Sequence, residues 1–130
     1  MILDSSVVVG VLLREHGHDR YVAAMDDATE LAIGAPTLLE TGMVVMGRLG
    51  LAGRSHVAQF LEHYGTVVVP FDERHWRAAA EAFIRYGKGR HPAALNYGDC
   101  MTYATAHLAD HPLLFTGDDF AKTDLVSALA

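Results

Sequence analysis

Short apolar runs alternate with longer amphipathic stretches along this chain. Ile2-Leu3, Leu31-Ala32-Ile33, Thr66-Val67-Val68-Val69 and Leu113-Leu114-Phe115 are each too brief for a helix, which predicts short strands. The third is β-branched at every position and is stopped by Pro70. Between these runs the apolar spacing changes to helical. Helices are predicted over Val7–Leu13, capped by Ser5 or Ser6, and over Tyr21–Ala28, opened by Asp19 after the break at Gly17. Another runs from Thr37 to about Leu49, with Pro36 in its first turn and Gly50 at its end. Ala52–His63 carries Val57, Phe60 and Leu61, continued by Tyr64, at helical spacing. Asp72 caps a further helix with Trp76, Ala79, Ala80 and Phe83 on one face, and a last helix runs from Asp99 to Leu108. Gly87-Lys88-Gly89-Arg90-His91-Pro92 is a loop. Strands alternating with helices predict an α/β fold with a parallel sheet between helical layers.

Against this pattern, five carboxylates stand out. Asp4 ends the first apolar run. Glu40 follows Thr37-Leu38-Leu39 and precedes a Met/Val-rich stretch. Asp99 opens the last helix, and Asp118-Asp119 close Leu113-Leu114-Phe115-Thr116-Gly117. Ligands of parallel sheets bind beyond the C-terminal strand ends, where Asp4, Asp118 and Asp119 fall. Carboxylates gathered at the edge of an apolar core repel one another and resist desolvation, and a divalent cation relieves both penalties. Magnesium takes oxygen ligands, keeps several waters and needs one or two direct carboxylates. Asp4 and Asp99 are the first candidates to hold Mg²⁺ or Mn²⁺, completed by Glu40 and by Asp118 or Asp119, between which the sequence does not choose. Singly, Asp4 and Asp99 are also good helix N-caps, Glu40 is an ordinary helix residue, and Asp118-Asp119 is ordinary turn chemistry. Their joint placement favours one site. Ser5 and Thr116 are candidates to orient the carboxylates from behind.

Composition narrows the setting. The 130 residues predict one domain spanning 1–130, and with 51% hydrophobic residues an ordinary core can form. The net charge of −6 argues against nucleic-acid binding through charge alone, though a bound cation offsets acidic charge locally. A single cysteine, Cys100, excludes an internal disulfide framework and fits a reducing, cytoplasmic location. The N-terminus lacks the pattern of a signal peptide, and no apolar stretch approaches the roughly 20 residues that span a bilayer. The closest histidine pairs, His16/His18 and His107/His111, lack the surroundings of a zinc motif.

The chain resembles a known family. Ile2-Leu3-Asp4-Ser5-Ser6, Thr37-Leu38-Leu39-Glu40-Thr41, the segment Tyr86 to Cys100 containing Asn96-Tyr97-Gly98-Asp99, and Leu114-Phe115-Thr116-Gly117-Asp118-Asp119-Phe120 are similar, in order and spacing, to the motifs of PIN-domain ribonucleases of the VapC toxin type. The resemblance implies a three-layer α/β/α sandwich, Mg²⁺ or Mn²⁺ binding, endoribonuclease activity on RNA, a VapB-type antitoxin partner and a homodimer. It carries Asp4, Glu40 and Asp99 over as an acidic triad, with Asp118 or Asp119 as the fourth acid.

The remaining chemistry is less pointed. Arg85, Lys88 and Arg90 form the densest basic patch and are candidates to hold RNA phosphates; a solubilising loop is the plainer alternative. Cys100 is expected to be packed. Trp76, Phe83 and the Met43/Met46 pair are expected in the core or an interface. A phosphoaspartyl phosphatase is one rival, weakened because position 6 is Ser6 rather than a second Asp. A non-catalytic, receiver-like or PIN-like binding module is another.

Overall fold

The computed structural model describes residues 1–129. Four strands, β1 (Ile2–Leu3), β2 (Ala32–Gly34), β3 (Val67–Val69) and β4 (Leu113–Leu114), form one parallel sheet in the order β3-β2-β1-β4. Six helices connect them: α1 (Ser5–Leu12), α2 (His18–Asp27), α3 (Ala35–Leu49), α4 (Gly53–Tyr64), α5 (Glu73–Tyr86) and α6 (Tyr97–Ala109). A 3-10 turn, Phe120–Lys122, follows β4.

Strand alternation divides the core in two. Ile2 and Leu113 face one way, onto Ala82, Tyr86, Tyr103 and Ala106 of the α5–α6 layer and Leu95 of the segment joining those helices. Leu3 and Leu114, with Ile33 of β2, face the other, onto Val7, Val8, Met25 and Phe60 of the α1, α2 and α4 layer. The period of two along a strand sends successive side chains to opposite faces, so two-residue strands suffice to seal both halves of a three-layer α/β/α sandwich. α3 bridges the layers, packing on α1 and α4 and also on α6.

The boundaries differ from the sequence expectation where capping decides them. Asp4, not Ser5 or Ser6, caps α1: its carboxylate accepts from the Ser6 backbone N at 3.2 Å. α6 begins before Asp99 because Asn96 is its cap. The Asn96 side chain accepts from Asp99 N at 2.9 Å, and Asp99 returns the bond to Asn96 N at 3.0 Å, a reciprocal box. Asp72 caps α5 as expected. Trp76 and Phe83 are not core residues: 61% and 41% exposed, they line an apolar surface groove between α5 and α6 with Phe71, Tyr97 and Met101. Met43 is likewise exposed, whereas Cys100 is buried. Among the described residues no helix is long and apolar enough to cross a membrane.

Candidate active site

The sheet sets the position of the site. In the order β3-β2-β1-β4, the chain leaves β1 toward β2 on one side and β4 lies on the other. The crevice at this switch point opens beyond the C-terminal strand ends. Asp4 follows β1 directly and its backbone N donates to Leu114 O at 3.0 Å, locking it to the end of β4. α3, which starts where β2 ends, carries Glu40. α6 brings Asp99 in its first turn, and Gly117, at φ 82°, turns the chain after β4 toward Asp118 and Asp119.

Asp4 is the best-held acid. It is buried, and both carboxylate oxygens are engaged. Oδ1 accepts from Thr102 Oγ1 at 2.9 Å, and Oδ2 accepts from Ser6 Oγ at 2.5 Å. Two hydroxyls extend the network. Ser6 Oγ accepts from Thr116 N at 3.1 Å, and Thr102 Oγ1 lies 3.1 Å from Thr37 Oγ1. Thus α1, α3, α6 and the post-β4 turn meet behind one carboxylate, and the hydroxyls of buried Thr102 and half-buried Ser6 supply the polar partners that burial demands. Ser6 rather than Ser5 contacts Asp4, and Thr116 takes part through its backbone N. Thr37 and Thr102 were not among the sequence candidates. The local Asp-x-Ser spacing gives some signal for Ser6, but no local pattern points to Thr102.

The other acids act on one another at longer range. Asp99 is half-buried, and its carboxyl is raised from 3.8 to about 6. Burial is the main cause, followed on the raising side by the charges of Asp4, Asp119 and Glu40; the bond from Asn96 N opposes them. Asp99 therefore feels acids from three separate segments. Of the adjacent turn acids, Asp119 is among the charges that raise Asp99 and Asp118 is not. Glu40 lies against Gly98, beside Asp99. Among the described residues, no three His, Cys, Asp or Glu side chains form a ready cage for a metal ion. The acids share a field rather than a closed coordination sphere. Hard carboxylate oxygens of this kind are the donor type that Mg²⁺ and Mn²⁺ take.

The basic patch is divided. Arg85 stacks over Tyr86, 4.7 Å from the ring centroid, and pairs with Asp124 at 3.5 Å. Asp124 also accepts from buried Tyr103 Oη at 2.7 Å, so Arg85 of α5 and Tyr103 of α6 together tie the C-terminal segment to the helical layer. Burial pulls the Asp124 carboxyl up, but the Tyr103 bond and the Arg85 charge prevail and lower it. Burial, and then the bond to Asp124, raises the Tyr103 hydroxyl. Lys88 is exposed on its loop, and Arg90 lies over Phe83, 5.4 Å from the ring centroid. Cys100 is packed behind Asp99; burial and then the Asp99 charge raise its thiol.

The family model described as PIN domain matches residues 1–125. The VapC ribonuclease Mb2004c of Mycobacterium bovis is 45% identical over 126 residues, covering 96% of this chain and 91% of that protein. Ribonuclease VapC of Mycolicibacterium smegmatis is 36% identical over 127 residues, covering 98% of each. Two solved structures share the fold. Mycobacterium tuberculosis VapC20, a Sarcin-Ricin loop cleaving toxin, matches with a TM-score of 0.78 at 15% identity, over 96% of this chain and 95% of that one. VapBC2 of Rickettsia felis, bound to a DNA fragment from its promoter, matches with a TM-score of 0.76 at 13% identity, over 97% and 95%.

Proposed function

Because the chain belongs to the PIN-domain family, and within it to the VapC ribonucleases, we propose that it is the endoribonuclease toxin of a type II toxin–antitoxin pair, hydrolysing RNA phosphodiesters with Mg²⁺ or Mn²⁺. The observation that supports the metal-dependent site is the placement of half-buried Asp99 beside Glu40 and within the field of Asp4 and Asp119, acids supplied by separate segments of the chain.

Asp4 and Asp99 would hold the ion, with Glu40 and Asp119 completing the site directly or through water. When bound, the dication supplies activation of water and stabilisation of charge on the phosphodiester. The rest is done by the chain. Thr102 and Ser6 fix the two oxygens of Asp4. Asn96 N fixes Asp99 Oδ2, which leaves its other oxygen for the cleft. Lys88 and Arg90 are proposed to meet RNA phosphates, while Arg85 is largely occupied with Asp124. A phosphoaspartyl mechanism is disfavoured because the position two residues after Asp4, where that chemistry wants a second acid, is Ser6, which donates to Asp4 instead.

The proposed partner is a VapB-type antitoxin whose inhibitory segment is apolar and basic, so that an arginine or lysine enters the acidic cleft. A homodimer would cover part of the exposed apolar surface around Trp76 and Phe83, and the cytoplasm is the proposed location. The test is cleavage of structured RNA with and without Mg²⁺ or Mn²⁺. Cleavage is expected only with the ion and is expected to fall at least a hundredfold in Asp4→Asn and Asp99→Asn. Full activity in either variant would defeat the assignment.

A further inference from the structure

Gly98 occupies the second position of α6, between Tyr97 and Asp99. Nothing in its backbone calls for glycine: it is absent from the glycines with positive φ, and inside a helix glycine is about 0.5–1 kcal/mol worse than alanine. The surroundings of the missing Cβ are specific. A Cβ placed there would lie 3.1 Å from Glu40 Cδ and 3.2 Å from Oε1, and closer still to Oε2. These three atoms, all of the Glu40 carboxyl group, are its nearest neighbours. The space that a side chain would fill at position 98 is filled by the head of Glu40.

Glu40 belongs to α3 and Asp99 to α6, and a methyl group on the intervening residue would push them apart. The obstructed atoms are the far end of a flexible side chain, so a methyl would displace the carboxylate without disturbing backbone packing. We propose that Gly98 is a positioning residue that admits the Glu40 carboxylate to the start of α6 beside Asp99, and so sets its place among the metal-holding acids. The start of a helix also carries the positive end of its dipole, which favours a carboxylate there. This inference rests on the proposed role of Glu40.

The experiment uses the full chain and four proteins: wild type, Gly98→Ala, Glu40→Gln and the double variant. Each is melted in EDTA and titrated with Mn²⁺ by calorimetry, and RNA cleavage is measured in parallel. Gly98→Ala is expected to melt at or above the wild-type temperature in EDTA. Its Mn²⁺ affinity is expected to fall about tenfold, as for a lost orienting contact, and to match that of Glu40→Gln. The double variant is expected to be no weaker than either single one, because both act through the same carboxylate. Wild-type Mn²⁺ affinity in Gly98→Ala beside a weakened Glu40→Gln would overturn the positioning role alone. A lower melting temperature for Gly98→Ala in EDTA would overturn it in favour of a packing role. Unchanged affinity in Glu40→Gln would remove Glu40 from the site, and the inference with it.

Discussion

Asp99 is the residue whose chemistry is most altered by its surroundings. Its carboxyl rises from 3.8 to about 6, so between those values the folded chain holds a proton that the unfolded chain has released. Stability contributed by that proton is present at acid pH and is lost as pH rises through the window. In EDTA, the stability of wild type relative to Asp99→Asn is expected to fall between about pH 4 and about pH 6, by on the order of 1 kcal/mol once solvent screening is allowed for. Urea denaturation of both proteins across that range checks it; a flat difference would sink it. The same proton competes with a cation, so Mn²⁺ affinity is expected to weaken below about pH 6. At this scale the sequence was partly legible. Asp4 could be read because a polar residue ending an apolar run is conspicuous. Thr102 could not, because its bond to Asp4 spans 98 positions and leaves no local trace. That the charge of Asp119 bears on Asp99 was equally hidden, since adjacent residues in one turn differ in direction and not in composition.

Among the elements, α6 does the most for the site. It contributes Thr102 to Asp4, Gly98 to Glu40 and Asp99 itself. Its start is fixed by the reciprocal bonds between Asn96 and Asp99, so a candidate metal ligand is also a capping residue. Replacing Asn96 by Ala removes the cap and is expected to destabilise the chain by about 1 kcal/mol. It also frees Asp99 to swing, so Mn²⁺ affinity is expected to fall with it; thermal melting and calorimetry read the two effects. A stability loss with unchanged affinity would show that the cap does not aim the carboxylate. Capping and ligation had seemed rival explanations for Asp4 and Asp99. At Asp99 the cap does not exclude the proposed ligation, because it uses one carboxylate oxygen and leaves the other unengaged among the described residues. Strands were readable as apolar runs, whereas the exact start of α6 was not, because Asn96 and Asp99 are both competent caps and only the folded backbone decides between them.

For the molecule as a whole, Asp4, Glu40, Asp99 and Asp119 come from four separate segments, and the charges of the other three bear on Asp99. An ion that binds only this assembled arrangement stabilises the fold by mass action. Mn²⁺ at about a hundred times its dissociation constant is expected to add about 2.7 kcal/mol and raise the melting temperature by about 8 °C. The rise is expected to shrink in Asp99→Asn and to vanish in Asp4→Asn/Asp99→Asn. Equal rises in all three would place the ion elsewhere. The layer order followed from the alternation of runs, but the groove carrying Trp76 and Phe83 did not: helical periodicity shows that a face is apolar and not what lies against it.

The stretch after β4 is held at both ends, by Ser6 under Thr116 and by Tyr103 under Asp124. Asp118 stands exposed between those two footings. The chain's one cysteine is buried. A thiol introduced at position 118 would therefore take a maleimide dye selectively, without prising loose either support. The protein thus offers a perch for a fluorophore next to its acidic cleft, from which arrivals and departures of ions, strands or inhibitors can be watched in real time.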